Sequence, residues 1–119
     1  MNQLPDQASQ RRQIATEMLE VHKTSFGTGA EDVVVHIIGD LVVVLLDDLE
    51  LSLTEETLLD CGDAETVLKT RAAFQLAIEP TFTAIIERAT GRRVASFLSS
   101  TNLEPLYSVE LFRLQPNGA

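Results

Sequence analysis

The segment from residue 33 to residue 46 constrains the fold of this chain most strongly. Two aliphatic runs, residues 33–38 and 41–46, flank Gly39-Asp40, a two-residue sequence that closes tight β-hairpins. The predicted cross-strand pairs are Ile38 with Leu41, His36 with Val43, and Val34 with Leu45. The sequence therefore predicts an antiparallel hairpin with a fixed register.

Both faces of this predicted hairpin are apolar. One face carries Val34, His36, Ile38, Leu41, Val43 and Leu45, and the other carries Val33, Val35, Ile37, Val42, Val44 and Leu46. A hairpin with one face in water would alternate apolar and polar residues, so this one requires cover on both sides. One face can be covered by helices of the same chain and the other by a second copy. We take the second face as the candidate oligomer interface, with Val33, Val35, Ile37, Val42 and Val44 as its residues.

The remaining periodicity predicts an α-β-β-α-β-β order. A helix begins at Asp6 or Ser9 and runs to His22, and a second long helix spans residues 64–89 and is kinked at Pro80. A short helix between them is predicted to be capped by Thr54, with Leu53 and Leu58 as a hydrophobic staple. Two further strands span residues 93–99 and 107–114.

This order predicts an α+β two-layer sandwich. Two long helices cover one face of a four-stranded antiparallel sheet, which is the arrangement of a ferredoxin-like fold whose first strand has moved to the end. At 119 residues the chain has the size of one domain, with an ordered core from about residue 9 to residue 114. The uncovered sheet face predicts a dimer.

Composition excludes several classes of function. The net charge of −9 disfavours nucleic acid and anionic membrane surfaces as partners, because both require a surplus of Lys and Arg. The apolar run at residues 33–46 is too short for a membrane-spanning helix, and the polar residues 1–12 lack the apolar core of a signal peptide. A lone Cys61 fits a reducing compartment. We therefore expect a cytoplasmic protein.

Few residues carry a pattern typical of catalysis. Eight of the 18 acidic residues lie between Asp47 and Glu65, but their spacing does not match a calcium loop, and a solvated acidic loop is the alternative to a metal site. Cys61 with His22 or His36 would form a nucleophile and base only if the fold brought them together. The sequence predicts no enzyme and no cofactor.

Arg71 stands apart because its spacing from Val67 and Phe74 places it at the edge of the apolar stripe of the long helix. A guanidinium there needs a counter-charge. The alternatives are an ion pair, with Glu87, Glu110 or an acid of the 47–65 stretch, and a bound anion. Arg92 and Arg93 either complement the end of the helix or join Arg71 and Ser99 in an anion or partner site.

The segment from Thr90 to Ser99 (TGRRVASFLS), with Arg71, Gln75 and Glu87 before it, resembles the small bacterial YbcI-like family. That family is also called MpsC, for a component of a Na⁺-translocating, membrane-potential-generating system. Supporting likeness lies in Gly27-x-Gly29 and the hairpin sequence DLVVV from residue 40 to residue 44. The chain departs from the pattern after its third strand, where it reads Ser99-Ser100-Thr101-Asn102 rather than ending in histidine.

The resemblance implies an accessory or regulatory protein that works beside a membrane system for Na⁺ translocation or inorganic-carbon (bicarbonate) uptake. It implies no catalytic residues. We therefore expect a non-enzymatic protein that associates with itself and with a membrane transport complex, peripheral to the membrane through that partner. The alternative is a small-anion sensor that uses Arg71 and Arg92.

Overall fold

A computed structural model describes residues 6–116 of the chain. Residues 1–5 and 117–119 lie outside that range. The prediction that residues 1–12 lack the apolar core of a signal peptide therefore falls partly outside the described residues. The elements are α1 (Gln7–Phe26), β1 (Ala30–Ile38), β2 (Leu41–Leu49), α2 (Leu53–Asp60), α3 (Ala64–Thr90), β3 (Val94–Asn102) and β4 (Tyr107–Leu114).

The four strands form one antiparallel sheet in the order β1-β2-β4-β3. A ferredoxin-like sheet has this order once its first strand is moved to the end of the chain, so the predicted fold class is confirmed. The long helices α1 and α3 pack together on one face of the sheet, and the short helix α2 packs against α3. Two helices and one sheet face enclose the core.

The predicted hairpin and its register are confirmed. Ile38 pairs with Leu41, His36 with Val43, and Val34 with Leu45. Gly39 occupies the turn with φ of +58°, in the left-handed region that glycine enters without a steric cost. The turn therefore selects the register that the two aliphatic runs also favour.

The helix ends follow local capping chemistry. Asp6 caps α1, whose last four residues extend beyond the predicted end at His22, and Gly27 ends it in the left-handed conformation. Ser52 caps α2, so the predicted Thr54 cap and its hydrophobic staple are wrong. The reason is a capping box, in which Ser52 Oγ accepts from Glu55 N and Glu55 Oε1 accepts from Ser52 N.

The core is aliphatic and aromatic and lies between the helices and the sheet. Its buried side chains come from α1 (Ile14, Met18), from α3 (Ile78, Phe82, Ile85, Ile86) and from the strands (Val42, Val44, Leu46, Phe112, Leu114). Burial of each such side chain contributes about 1.5–3 kcal/mol. This packing fixes α3 over β3 and β4, where the polar residues of the next section lie.

Candidate functional site

Arg71 is the largest fully buried side chain, and only 2% of its surface is exposed. Its Nε donates to Glu55 Oε2 at 2.6 Å, and its Nη2 donates to Glu55 Oε1 at 2.9 Å and to the Glu50 carbonyl at 3.3 Å. This bidentate geometry is the strongest form of an arginine–carboxylate pair. The ion pair predicted as one alternative for Arg71 is therefore present, with an acid of the 47–65 stretch as its partner.

Aromatic rings surround this pair. The Arg71 guanidinium lies 5.5 Å from the centroid of the Phe26 ring, within the range of a cation–π contact. His22 stacks on Phe26 at 4.4 Å, and Phe74 contacts the same ring at 5.2 Å. This cluster joins three elements, which are the C-terminal end of α1, the short helix α2 and the first half of α3.

The pKa values of two groups in this cluster are shifted. Burial lowers the pKa of His22, whose Nδ1 donates to the Thr28 carbonyl at 2.8 Å. Burial alone would raise the pKa of Glu55, but the hydrogen bonds from Arg71 and Ser52 outweigh it and the pKa is lowered. His22 is thus held neutral, and Glu55 is held charged beside Arg71.

A cavity of about 150 Å³ opens between α2 and α3 beside this pair, lined in part by Arg71, Glu55 and Phe74. This volume lies below the roughly 300–1,000 Å³ that is usual for small-molecule sites. The carboxylate that neutralises Arg71 lines the same cavity. The geometry therefore favours a structural ion pair between α2 and α3 over an anion-binding site.

Arg92 is also paired, at the other end of the molecule. Its Nη2 donates to Asp40 Oδ1 and to the Gln115 carbonyl, both at 2.6 Å. Arg71 and Thr90 are 19 positions apart on one helix, or roughly 28 Å along its axis. The structure therefore does not bring Arg71 and Arg92 together.

Arg93 and Ser99 complete the predicted site residues, and they too lie apart. The Arg93 side chain is 83% exposed, with Nε 3.8 Å from Glu87 Oε2. Ser99 lies on β3 under α3, opposite Glu110 of β4. The four predicted residues thus form no single site in this fold.

A buried polar network surrounds Glu110. Gln75 Nε2 of α3 donates to Ser108 Oγ at 2.8 Å, to Thr101 Oγ1 at 3.1 Å and to Glu110 Oε1 at 3.3 Å. Ser108 Oγ also donates to Glu110 Oε1 at 3.1 Å. Burial raises the pKa of Glu110 to about 7 against the opposing effect of hydrogen bonds from Ser99, Ser108 and Gln75. Sequence reasoning considered Glu110 only as a partner for Arg71.

The five predicted interface residues lie on the wrong face for contact with a second chain. Val42 and Val44 are fully buried and Val35 is 7% exposed, because α1 and α3 pack over this face. Val33 and Ile37 share the face and pack against the same core. The prediction of Val33, Val35, Ile37, Val42 and Val44 as an oligomer interface is therefore wrong.

The opposite face of the sheet carries the apolar surface that the hairpin predicted. We call it the open sheet face, and its apolar residues come from all four strands: Val34, Ile38, Leu41, Val43, Leu45, Leu98, Val109 and Leu111. Ile38 is 63% exposed and Leu98 is 67% exposed. In the described part of the chain, no helix packs on this face, so neighbouring strands alone shield it.

A second apolar surface lies on α3. We call it the α3 patch, and it consists of the exposed residues Ala72, Ala73, Phe74, Leu76 and Ala77. Phe74 is 45% exposed and Leu76 is 71% exposed. Exposed apolar patches on a small domain mark sites of association.

The family described as the Na⁺-translocating membrane potential-generating system (MpsC) matches residues 7–115. The chain belongs to the MpsC family. The match includes every element of the fold, the Arg71–Glu55 pair and both apolar surfaces. No curated protein and no solved structure gave a match.

None of the helices that the structure describes in this MpsC-family chain is long and apolar enough to cross a membrane. Within residues 6–116, no three His, Cys, Asp or Glu side chains converge as metal ligands. Cys61 is exposed at the end of α2, whereas His22 is buried and His36 lies on the open sheet face. The open sheet face carries eight apolar residues and the α3 patch carries five.

Proposed function

We propose that this MpsC-family chain is a non-enzymatic accessory or regulatory protein that acts by binding other proteins. The open sheet face is the observation that carries the proposal. It presents eight apolar residues on a surface held in place by backbone hydrogen bonds across four strands. A rigid apolar surface binds a partner at little cost in conformational entropy.

The partner on this face is a second copy of the chain. Charged residues lie at opposite ends of the face, with Asp32 opposite Asp47 at one end and Arg113 opposite Leu41 at the other. On β2 these ends, Leu41 and Asp47, are six positions apart, or roughly 20 Å. A two-fold axis that lies in the interface and runs perpendicular to the strands would place the acidic end of each copy over the end of the other copy that carries Arg113.

A charge swap tests this arrangement. Light scattering should give twice the chain mass of 13.1 kDa for the unaltered protein. Arg113→Glu should weaken the dimer, and Arg113→Glu combined with Asp32→Arg should restore it in part. A monomer at micromolar concentration, or equal weakening by the single and double variants, would contradict the arrangement.

The family description, a Na⁺-translocating membrane potential-generating system, supports a second association, with the membrane complex of such a system. We assign this partner to the α3 patch, because the open sheet face is used in the dimer. The protein would then be cytoplasmic and peripheral to the membrane through its partner.

The test is co-purification of an identified transport subunit from solubilised membranes with tagged protein. Ala73→Glu should abolish recovery, while Glu56→Gln on the neighbouring helix should leave it unchanged. Failure of the unaltered protein to recover any transport subunit would refute this assignment and leave the dimer untouched.

A further inference from the structure

Strand β3 lies at one edge of the sheet, and within residues 6–116 no strand pairs with its outer side. Its nine residues include no charged residue and no proline, whereas the other edge strand, β1, carries Glu31 and Asp32. Natural proteins protect exposed edges with charges, proline or bulges, and β3 has only a bulge between Val94 and Ser96. The regular part of β3, after the bulge, is therefore open to a further strand.

The hydrogen bonds of β4 show which main-chain groups of β3 point outward. Leu114 N donates to the Asp40 carbonyl at 2.7 Å on the β2 side, and Gln115 N donates to the Arg93 carbonyl at 2.9 Å on the β3 side. Successive residues of a central strand bond to alternate sides, so the odd-numbered residues of β4 bond to their even-numbered partners on β3. The N–H and C=O groups that point away from the sheet belong to the residues between those partners: Phe97, Ser99 and Thr101.

A groove of about 280 Å³ runs along this edge, between α3 and β3. Its lining includes residues of both elements: Leu76 and Glu79 of α3, and Phe97, Leu98 and Ser99 of β3. A strand added beside β3 would direct every second side chain to the side of the sheet on which α3 lies. The groove offers these side chains an apolar contact at Leu76, which is 71% exposed, and a carboxylate at Glu79.

Charge decides between a second copy of the chain and another partner. A two-fold axis that pairs all three outward residues of two β3 strands must pass beside Ser99, the middle one. Glu79 lines the same groove as Ser99, so this axis would bring two Glu79 carboxylates toward each other. Within the described residues Glu79 forms no ion pair. A segment with a Lys or Arg side chain complements this carboxylate, and the net charge of −9 attracts the same partner.

We propose that the β3 edge binds an extended, basic segment of a partner protein, whose main chain adds a fifth strand to the sheet. A Lys or Arg side chain of the segment pairs with Glu79, and an aliphatic side chain two residues away contacts Leu76. The inference rests on the proposed function in one respect, that the partner is a protein. The edge remains accessible when the open sheet face is covered, because it lies at the side of the sheet.

A displayed library of random peptides of about eight residues, the length of an ordinary strand, supplies the probe. The most enriched peptide is synthesised and its binding to the unaltered protein is measured by calorimetry. Enriched sequences should carry a basic and an aliphatic residue at alternate positions. Methylation of the peptide's main-chain nitrogens should abolish binding at one set of alternate positions and leave it intact at the other, since only one set faces β3.

Variants of the protein locate the site. Glu79→Lys reverses the charge in the groove and should weaken binding of the peptide about tenfold. Glu56→Lys makes the same change at an exposed position on α2 and should leave binding nearly unchanged. The methylated peptides involve no change in the protein, so they remain informative if a variant fails to fold.

Hydrogen exchange of the protein's amides gives a second measurement. The peptide should slow exchange at the outward residues, which are Phe97, Ser99 and Thr101. Exchange at Leu98 and Ser100, whose amides already bond to β4, should change far less. This alternation distinguishes an added strand from a peptide that contacts the groove by its side chains alone.

Four results would overturn the proposal. The selection could enrich no peptide that binds more tightly than an unselected sequence, or binding could be indifferent to main-chain methylation. The peptide could protect the amides of β1 instead of those of β3. Protection of the three β3 amides could also appear without peptide as the protein concentration rises, which would assign the edge to a second copy. Each result leaves co-purification of a transport subunit as a separate question, and failure of that co-purification leaves the peptide result standing.

Discussion

Removal of the Glu55 carboxylate should destabilise the protein far more than removal of any exposed acid. Glu55→Ala leaves the Arg71 guanidinium, at 2% exposure, with the Glu50 carbonyl at 3.3 Å and the Phe26 ring as its remaining contacts. Breaking a buried pair from one side costs about 3–5 kcal/mol. For a domain of this size, about 4 kcal/mol corresponds to a fall of about 15 °C in melting temperature.

Chemical denaturation of the unaltered protein and of five variants, among them Glu55→Ala and Arg71→Met alone, measures this cost. Glu56→Ala, in the same turn but exposed, is the matched control and should lie within about 0.5 kcal/mol of the unaltered protein. Glu55→Gln keeps an acceptor for Ser52 N and so separates the lost charge from the lost capping box. Arg71→Met combined with Glu55→Ala should recover much of the loss, because no unpaired charge is then buried.

Two results would refute this reasoning. One is a Glu55→Ala variant as stable as Glu56→Ala, and the other is a double variant whose loss equals the sum of its two single losses. The pH dependence gives a further check. Because the Glu55 pKa is lowered in the folded state, its contribution is present above the ordinary value of 4.5 and is lost as the pH falls through the folded pKa.

Three smaller effects follow from other contacts. Arg92→Ala should cost about 1 kcal/mol in urea denaturation, because the Asp40 partner is 44% exposed; a loss as large as that of Glu55→Ala would contradict this. Gly39→Ala should cost about 1–2 kcal/mol through its φ of +58° alone, since no atom lies within 4 Å of the added Cβ, and an unchanged urea midpoint would contradict it. The raised Glu110 pKa should make stability fall as the pH rises from about 4.5 to about 7, and Glu110→Gln should flatten that slope; an unchanged slope in Glu110→Gln would contradict the shift.

The hairpin could be predicted from sequence because several local signals agree. The turn residues Gly39-Asp40 and the two flanking aliphatic runs specify the same register. The predicted α2 cap is wrong because both Ser52 and Thr54 are good capping residues. The deciding signal is present in the sequence: Ser52 with Glu55 three residues later is a capping box, and Thr54 has no such partner.

The choice of sheet face could not be predicted from the hairpin, since both of its faces are apolar. The polarity pattern of β4 even predicts the wrong face as the buried one. Ser108 and Glu110 are polar, but they face the helices, where Gln75 donates hydrogen bonds to them. The sequence also leaves the ion-pair partner of Arg71 undecided, since acidic residues on three different segments could pair with it. Tertiary packing decides both questions.

Sedimentation of the unaltered protein and of Val43→Glu tests the association account most directly. Val43 lies on the open sheet face between His36 and Leu111, on the opposite side of the sheet from the core. The account predicts a dimer that Val43→Glu weakens at least roughly 100-fold, by burying an unpaired charge, while the exposed helix variant Thr81→Glu leaves it intact. A monomeric unaltered protein, or a dimer that Val43→Glu leaves unchanged, would contradict the account.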